Sequence, residues 1–291
     1  MITILFDSLR NDYRNHFEKA FQDWSYSSFK TVETLTAPVI ASWATSKTPE
    51  ELGLPRSVEA FYSPLDASKI DDTIFDHFES HISVGRLIGP EGHCAMPPSR
   101  RGRFKILPPI NWNAKSNWDP DIMNYVGQKW SMANPWWVDY IHWHSFTTHG
   151  PFSTFTGEGA KECPEIINTD RLIRRLPMED RKSWYLKGVN NAIAALRAVR
   201  DICNDKETII CFADHGEMLG EHGIFGHGIG MLEFEEANTV PIFINRKEKI
   251  PDNISHLTMK DWIVEMYQKY ELNNPEYKKF KQQKLNMKGG E

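Results

Sequence analysis

Short apolar runs rich in β-branched and aromatic residues recur along the chain, most of them followed by a segment of helical period. The run Ile2-Thr-Ile-Leu-Phe6 reads as a first strand, with a helix predicted over residues 11–24 and a second strand over 29–35. Pro38 suits the first turn of a helix that reaches about Ser46. Residues 56–62 and 83–88 read as strands, with an amphipathic helix over 71–81 between them. An aromatic run over 136–141 predicts a central strand leading into His142 and His144, which alternation puts on one face. The longest helix is predicted over 178–204, where Tyr185, Val189, Ile193, Leu196 and Val199 form a core-facing stripe. Strands over 208–212 and 240–244 follow, then one helix near 259–270. Strands alternating with helices predict an α/β fold of three layers, with a largely parallel central sheet and helices on both faces. Residues 1–245 are expected to form the catalytic domain and 246–291 a short polar, partly helical extension.

The stretch 90–120 breaks the alternation: it is rich in Pro, Gly, Asn and Trp and reads as a long irregular excursion. Its basic run, Arg100-Arg101-Gly-Arg103-Phe-Lys105, fits a solvated face better than an anion site. A net charge of −5 gives no reason to expect nucleic acid as a partner. Cysteines at 94, 163, 203 and 211 lack metal-ligand or disulfide-framework spacing and read as reduced thiols. The chain as given leads with a strand and carries no apolar run of membrane-spanning length, so the expected location is cytoplasmic. Oligomeric state is not readable.

The chemistry concentrates in two places. Residues 213–228, ADHGEMLGEHGIFGHG, follow a buried strand, and 141–150 follow another; together they hold six of the eleven histidines. Three strands thus end on acid/base or metal-competent groups: Asp7, His144, and Asp214 with His215. In a parallel sheet such ends share one edge. Thr36, alone an ordinary turn threonine, precedes a helix N-terminus that favours an anion. Two aspartates, a histidine and a hydroxyl make a mixed oxygen and nitrogen set for one divalent ion, Zn, Mn or Ca. A cation there would make Thr36 a nucleophile near neutral pH. His144, His149 and His227 are the candidates to surround the transferring group and to protonate a leaving group, whereas His142 reads as a core histidine. Such a site suits a small anionic ester of phosphorus or sulfur.

The segment DHGEMLGEHGIFGHG with the following Val240-Pro241-Ile242 resembles the C-terminal signature of the sulfatases, in the alkaline phosphatase superfamily. Asp7-Ser8-Leu9-Arg10-Asn11-Asp12 is similar to that family's first-strand motif, and the segment from His144 to Phe152 to its middle histidine motif. The resemblance covers roughly residues 1–245 and implies that Asp7, Asp214 and His215 bind metal. It also implies that His149 and His227 contact the oxyanion, with Arg10 and His144 as further substrate contacts and Glu217 orienting its neighbours; His222 is not assigned a role. Sulfatases mature a Cys or Ser two residues before a proline to formylglycine; here that place is Thr36, in Thr36-Ala37-Pro38, and the motif's arginine is missing. Cys94 stands three residues before its proline and is rejected as an alternative. The two-zinc members' Asp-x-x-x-His motif fails at Trp143, so one tight metal is expected, with a second weak site possible at His227.

The expectation is therefore a metal-dependent hydrolase of phosphate esters, diesters favoured, with Thr36 as nucleophile. The rivals are a sulfatase working without formylglycine and a catalytically silent protein that binds an anionic partner at the same sheet edge. The substrate is not legible, because the stretches 90–120 and 152–177 that would select it carry no readable code.

Overall fold

The computed structural model describes residues 1–55, 67–84, 103–106, 138–150, 152, 173–203 and 206–288. Strand β1 (Ile2–Phe6) leads through a 3-10 turn to α1 (Arg14–Ala20), then to β2 (Ser25–Lys30) and α2 (Thr36–Thr45). Strands β3 (Ser80–Val84), β4 (Arg103–Ile106) and β5 (Tyr140–Ser145) precede the long α3 (Met178–Cys203) and β6 (Ile209–Ala213). The small hairpin of β7 (Met218–Leu219) and β8 (Phe225–Gly226) is followed by α4 (Glu235–Asn238) and β9 (Thr239–Ile244). The described chain closes with α5 (His256–Tyr267), a π turn and α6 (Pro275–Lys288).

Among the described residues the main sheet has seven strands in the order β2-β9-β6-β1-β5-β3-β4. β1 lies at its centre, parallel to both β5 and β6; β9 runs antiparallel to both β2 and β6, and the remaining neighbouring pairs are parallel. Helices α1 and α3 pack together, as do α2 and α5. Alternation along β1 serves both faces: Phe6 packs on Phe17 of α1, whereas Thr3 bonds His142, whose ring lies on Trp43 of α2. This is the expected three-layer α/β class.

Several elements differ from expectation, each for a local reason. The helix expected over 11–24 is confined to Arg14–Ala20 because Phe21 leaves helical geometry at φ −136°. β2 lies earlier than 29–35, because it is a half-buried edge strand whose Ser-Tyr-Ser-Ser sequence lacks an apolar run; residues 31–35 form a loop under the site. The helix expected over 71–81 reduces to one 3-10 turn, Ile74–His77, after which Phe78 becomes extended and stacks on Tyr140 at 4.2 Å. The strand expected over 83–88 is β3, three residues earlier at its start. The strand expected to finish near 141 runs from Tyr140 to Ser145, so His142 and His144 lie within it. Inside the region read as irregular, Arg103–Ile106 pairs in parallel with β3. The strand expected over 56–62 and most of 90–120 lie outside the described residues, as do Cys94 and Cys163; Cys203 and Cys211 are free and buried. Residues 246–291 hold two helices instead of one, and their Ile250, Ile254, Met259, Trp262, Ile263, Met266 and Tyr277 join the same core cluster as β1. At roughly 1.5–3 kcal/mol for each fully buried large apolar side chain, this segment is a substantial part of the core.

Candidate active site

The register of the central strands brings the site together. Phe6 stands opposite Ala213 of β6 and Ser145 of β5, so the next residues, Asp7 and Asp214, leave the sheet side by side. Thr36 opens α2, all ten of whose residues are buried, at the end where free backbone N–H groups gather. One atom each from Asp7, Asp214 and His215 lie within 4.8 Å of one another, all three side chains buried. Thr36 Oγ is 3.2 Å from His215 Nε2 and 3.5 Å from Asp7 Oδ2. The structure thus brings together the four residues of the expected metal and nucleophile set.

The electrostatics fit a cation. Burial alone pushes both carboxyls up. At Asp7 the imidazoles of His149 and His144 outweigh burial and hold the carboxyl well below the usual range. Asp214, buried and facing the charge of Asp7, is held well above it. Its Oδ1 accepts the backbone N–H groups of Ser8 (3.0 Å) and His215 (2.8 Å), whereas its buried Oδ2 has no partner. Burial and the neighbouring His227 keep His215 neutral, its pKa well below 6.5. Nδ1 of His215 donates to the Gly216 carbonyl at 2.9 Å, which leaves the Nε2 lone pair facing Thr36 and the carboxylates. An unpartnered carboxylate oxygen, a second carboxylate and a correctly tautomerised imidazole form a donor set that suits one divalent cation.

Three more histidines surround the group. His144 Nε2 donates to Asp7 Oδ2 at 3.0 Å, and its ring is buried against Phe146. The His227 ring lies 4.2 Å from that of His215 and 5.2 Å from that of His149. Nδ1 of His227 donates to Glu217 Oε2 at 2.9 Å; burial opposes the charged ring, but Glu217 overcomes it and raises the pKa to about 9. Glu217 therefore orients His227 and keeps it charged. Nδ1 of His149 donates to the Gly150 carbonyl at 2.5 Å, leaving Nε2 free to exchange a proton. The turn carrying His149 is braced by α3, where a Cβ on Gly188 would come within 2.5 Å of the Thr147 carbonyl. Arg10 is not brought into the group. Its guanidinium donates twice to Asp12, and to Glu221 and the Glu217 carbonyl, which ties the β7–β8 hairpin to the turn after β1. His222 is exposed, stacked on Phe234, and His142 is a core histidine bonded to Thr3.

Residues outside the motifs also shape the site. Tyr185 OH donates to the Ser8 carbonyl at 2.7 Å and accepts the Arg10 N–H at 2.8 Å. Nε2 of His256, on α5, donates to the Ala213 carbonyl at 3.0 Å, and Thr31 Oγ donates to the Asp214 carbonyl at 2.6 Å. The helical stripe marks Tyr185 only as a packing residue, and His256 lies beyond the expected catalytic segment. Neither has a local signal, because both act on backbone carbonyls of distant strands.

No protein-family model matches the chain. Among curated proteins it is similar to GPI ethanolamine phosphate transferase 2 of Saccharomyces cerevisiae, 23% identical over 247 residues. That match covers 77% of this chain and 26% of the relative, so the chain spans only that fraction of the relative's length. Among solved structures it is similar to the phosphonate monoester hydrolase of Agrobacterium radiobacter, with a TM-score of 0.64 at 13% identity, covering 92% of this chain and 73% of the other. It is also similar to the C-terminal periplasmic domain of a phosphoethanolamine transferase from Campylobacter jejuni (TM-score 0.58, 14% identity, 95% and 91% covered). A 2-O GAG sulfatase gives a TM-score of 0.61 at 10% identity, with 92% and 70% covered. These likenesses establish the fold, which is that of the alkaline phosphatase and sulfatase-like proteins. No helix among the described residues is long and apolar enough to cross a membrane.

Proposed function

We propose that this chain is a metal-dependent phosphoesterase, acting on a diester, with Thr36 as its nucleophile. The observation that carries the reading is Thr36 Oγ at a helix N-terminus, within 3.2 Å of His215 Nε2 in the cluster Asp7, Asp214 and His215. Those three residues would hold one divalent ion, Zn, Mn or Ca, and a bound cation supplies Lewis-acid charge that favours the ionised hydroxyl and offsets phosphoryl charge. Thr36 Oγ, its proton released to solvent, attacks phosphorus, the bond to the leaving oxygen breaks in line, and an ester of phosphothreonine forms. His227, protonated through Glu217, donates to a non-bridging oxygen as charge builds there. His149, with Nδ1 fixed on Gly150, gives a proton from Nε2 to the leaving oxygen and takes one back from the water that releases the phosphoryl group. A threonine without the sulfatase arginine favours phosphorus over sulfur.

One observation favours a second outcome for the same intermediate: the sequence match is to an ethanolamine phosphate transferase. In that reading an acceptor hydroxyl replaces water at the second step. The test is the Mn²⁺-loaded protein on bis-(4-nitrophenyl) phosphate, 4-nitrophenyl phosphate and 4-nitrophenyl sulfate, with glycerol added as a trial acceptor. The diester is expected to react fastest, and Thr36→Ala to lose roughly a thousandfold or more. An acid-quenched sample should carry the phosphoryl adduct on Thr36. A dominant sulfatase rate or full activity in Thr36→Ala would overturn the reading. Metal uptake without turnover on any ester would point to the silent, anion-binding alternative, and a glycerol adduct to transfer.

A further inference from the structure

Ser8 is one of four non-glycine residues at positive φ among the described residues, at +63°. Such a backbone is unfavourable for serine, and strain of this kind at the centre of a site points to a function when surrounding groups enforce it. Here they do. Tyr185 OH donates to the Ser8 carbonyl and accepts from Arg10 N–H, clamping the turn from outside.

The conformation has a specific product. With φ at +63°, the Ser8 N–H donates to Asp214 Oδ1 at 3.0 Å while its Oγ donates to Asp7 Oδ1 at 2.9 Å. One residue therefore occupies the Oδ1 atom of both carboxylates. The two Oδ2 atoms are left toward the cluster: that of Asp7 lies 3.5 Å from Thr36 Oγ, and the unpartnered one of Asp214 lies 3.4 Å from His215 Nε2. Ser8 Oγ also stands 3.4 Å from His227 Nδ1, able to accept part of the hydrogen bond that nitrogen gives Glu217.

We infer that Ser8 is a positioning residue of the metal cage, fixing the rotation and spacing of Asp7 and Asp214 so that one oxygen of each faces the cation; this rests on the metal-dependent reading above. The backbone N–H sets Asp214 and the hydroxyl sets Asp7. The hydroxyl is therefore separable from the turn by mutation. Ser8→Ala removes the hydroxyl and keeps the strain. Ser8→Gly removes the hydroxyl and relieves the strain, and Ser8→Thr keeps the hydroxyl at higher strain.

The experiment is isothermal titration of the full chain with Mn²⁺, alongside thermal melts of the metal-free proteins by circular dichroism. Ser8→Ala and Ser8→Gly are each expected to weaken Mn²⁺ binding by roughly tenfold or more, the usual effect of losing a group that orients a metal ligand. Ser8→Gly should do so with no loss of melting temperature, so the weakening cannot be attributed to a damaged fold. Ser8→Thr should melt lower yet keep an affinity close to the parent's. Either hydroxyl-free variant binding Mn²⁺ as tightly as the parent overturns the inference, as does a Ser8→Thr variant as weak as Ser8→Ala. A parent that takes up no Mn²⁺, Zn²⁺ or Ca²⁺ overturns the metal-dependent reading and this inference with it. A parent that binds metal and a Ser8→Gly variant that binds equally overturn the inference alone.

Discussion

Gly216→Ala gives a sharp test of how the loop carrying the candidate ligands Asp214 and His215 is supported. Gly216 follows His215, and its N–H donates to the Ala237 carbonyl of α4 at 2.7 Å. An added Cβ would lie 1.9 Å from the Glu236 carbonyl oxygen and 2.9 Å from its carbon. Ordinary contact begins near 3.4 Å, so loop and helix must separate by about 1.5 Å at a point where backbone meets backbone. Overpacking of this kind and the weakened hydrogen bond together cost on the order of 3 kcal/mol. The larger effect falls on geometry. His215 Nδ1 is anchored on the Gly216 carbonyl, so displacing that residue swings Nε2 away from a Thr36 Oγ now 3.2 Å off. A misplacement near 1 Å costs about a hundredfold in rate. The assay pairs turnover of bis-(4-nitrophenyl) phosphate and Mn²⁺ titration with urea denaturation of the metal-free chain. A variant with parental stability and parental metal affinity would refute the claim that α4 sets the position of His215.

Other consequences follow from the buried charges and histidines. Asp214→Asn removes a carboxylate that faces Asp7 in a dry site, so the metal-free variant should be more stable than the parent by about 1–2 kcal/mol while Mn²⁺ no longer raises its melting temperature; a less stable metal-free variant would contradict the repulsion between the two carboxylates. Burial lowers His81 and His256 each to about 4, below their unfolded value of 6.5. Both are neutral in the fold, so their contribution is complete above pH 6.5 and is lost as pH falls toward 4, by about 3 kcal/mol each. Urea midpoints measured from pH 7.5 to 4.5 should fall accordingly. His256→Gln keeps a donor for the Ala213 carbonyl but cannot titrate, so its acid arm should be shallower, and a pH profile parallel to the parent's would exclude His256 as a source of it. His256→Phe, by contrast, leaves the Ala213 carbonyl and the Thr31 hydroxyl without this support and should cost about 1–3 kcal/mol at neutral pH as well, read in the same denaturation series.

The convergence of the candidate residues was largely legible because its information is local twice over. Asp7, Asp214 with His215, and Thr36 each sit just past a buried strand or at a helix start, and a parallel sheet does the rest. The register is what a sequence does not print. That His144 bonds Asp7 follows from Leu5 standing opposite it in β5. That Arg10 also serves Glu221 follows from where the hairpin after β6 folds back. Elements were displaced or missed where burial was partial or the strand short. β2 is an edge strand of serines and aromatics, β4 spans four residues, and α6 is a lysine-rich helix anchored chiefly by Tyr277. The antiparallel placement of β9 was also invisible, since a buried apolar strand reads the same in either direction.

The adjacency of β1 and β6 at the middle of the sheet has a kinetic consequence. Ser8 and the carboxylate it holds are 206 residues apart in sequence, so the candidate cation ligands meet only after β1 and β6 have paired. A partly folded chain in which β1 and β6 have not yet paired has no cage to offer. Divalent ion should therefore leave the refolding rate unchanged and slow unfolding instead, making the ion a lock on the finished molecule and not a nucleus for it.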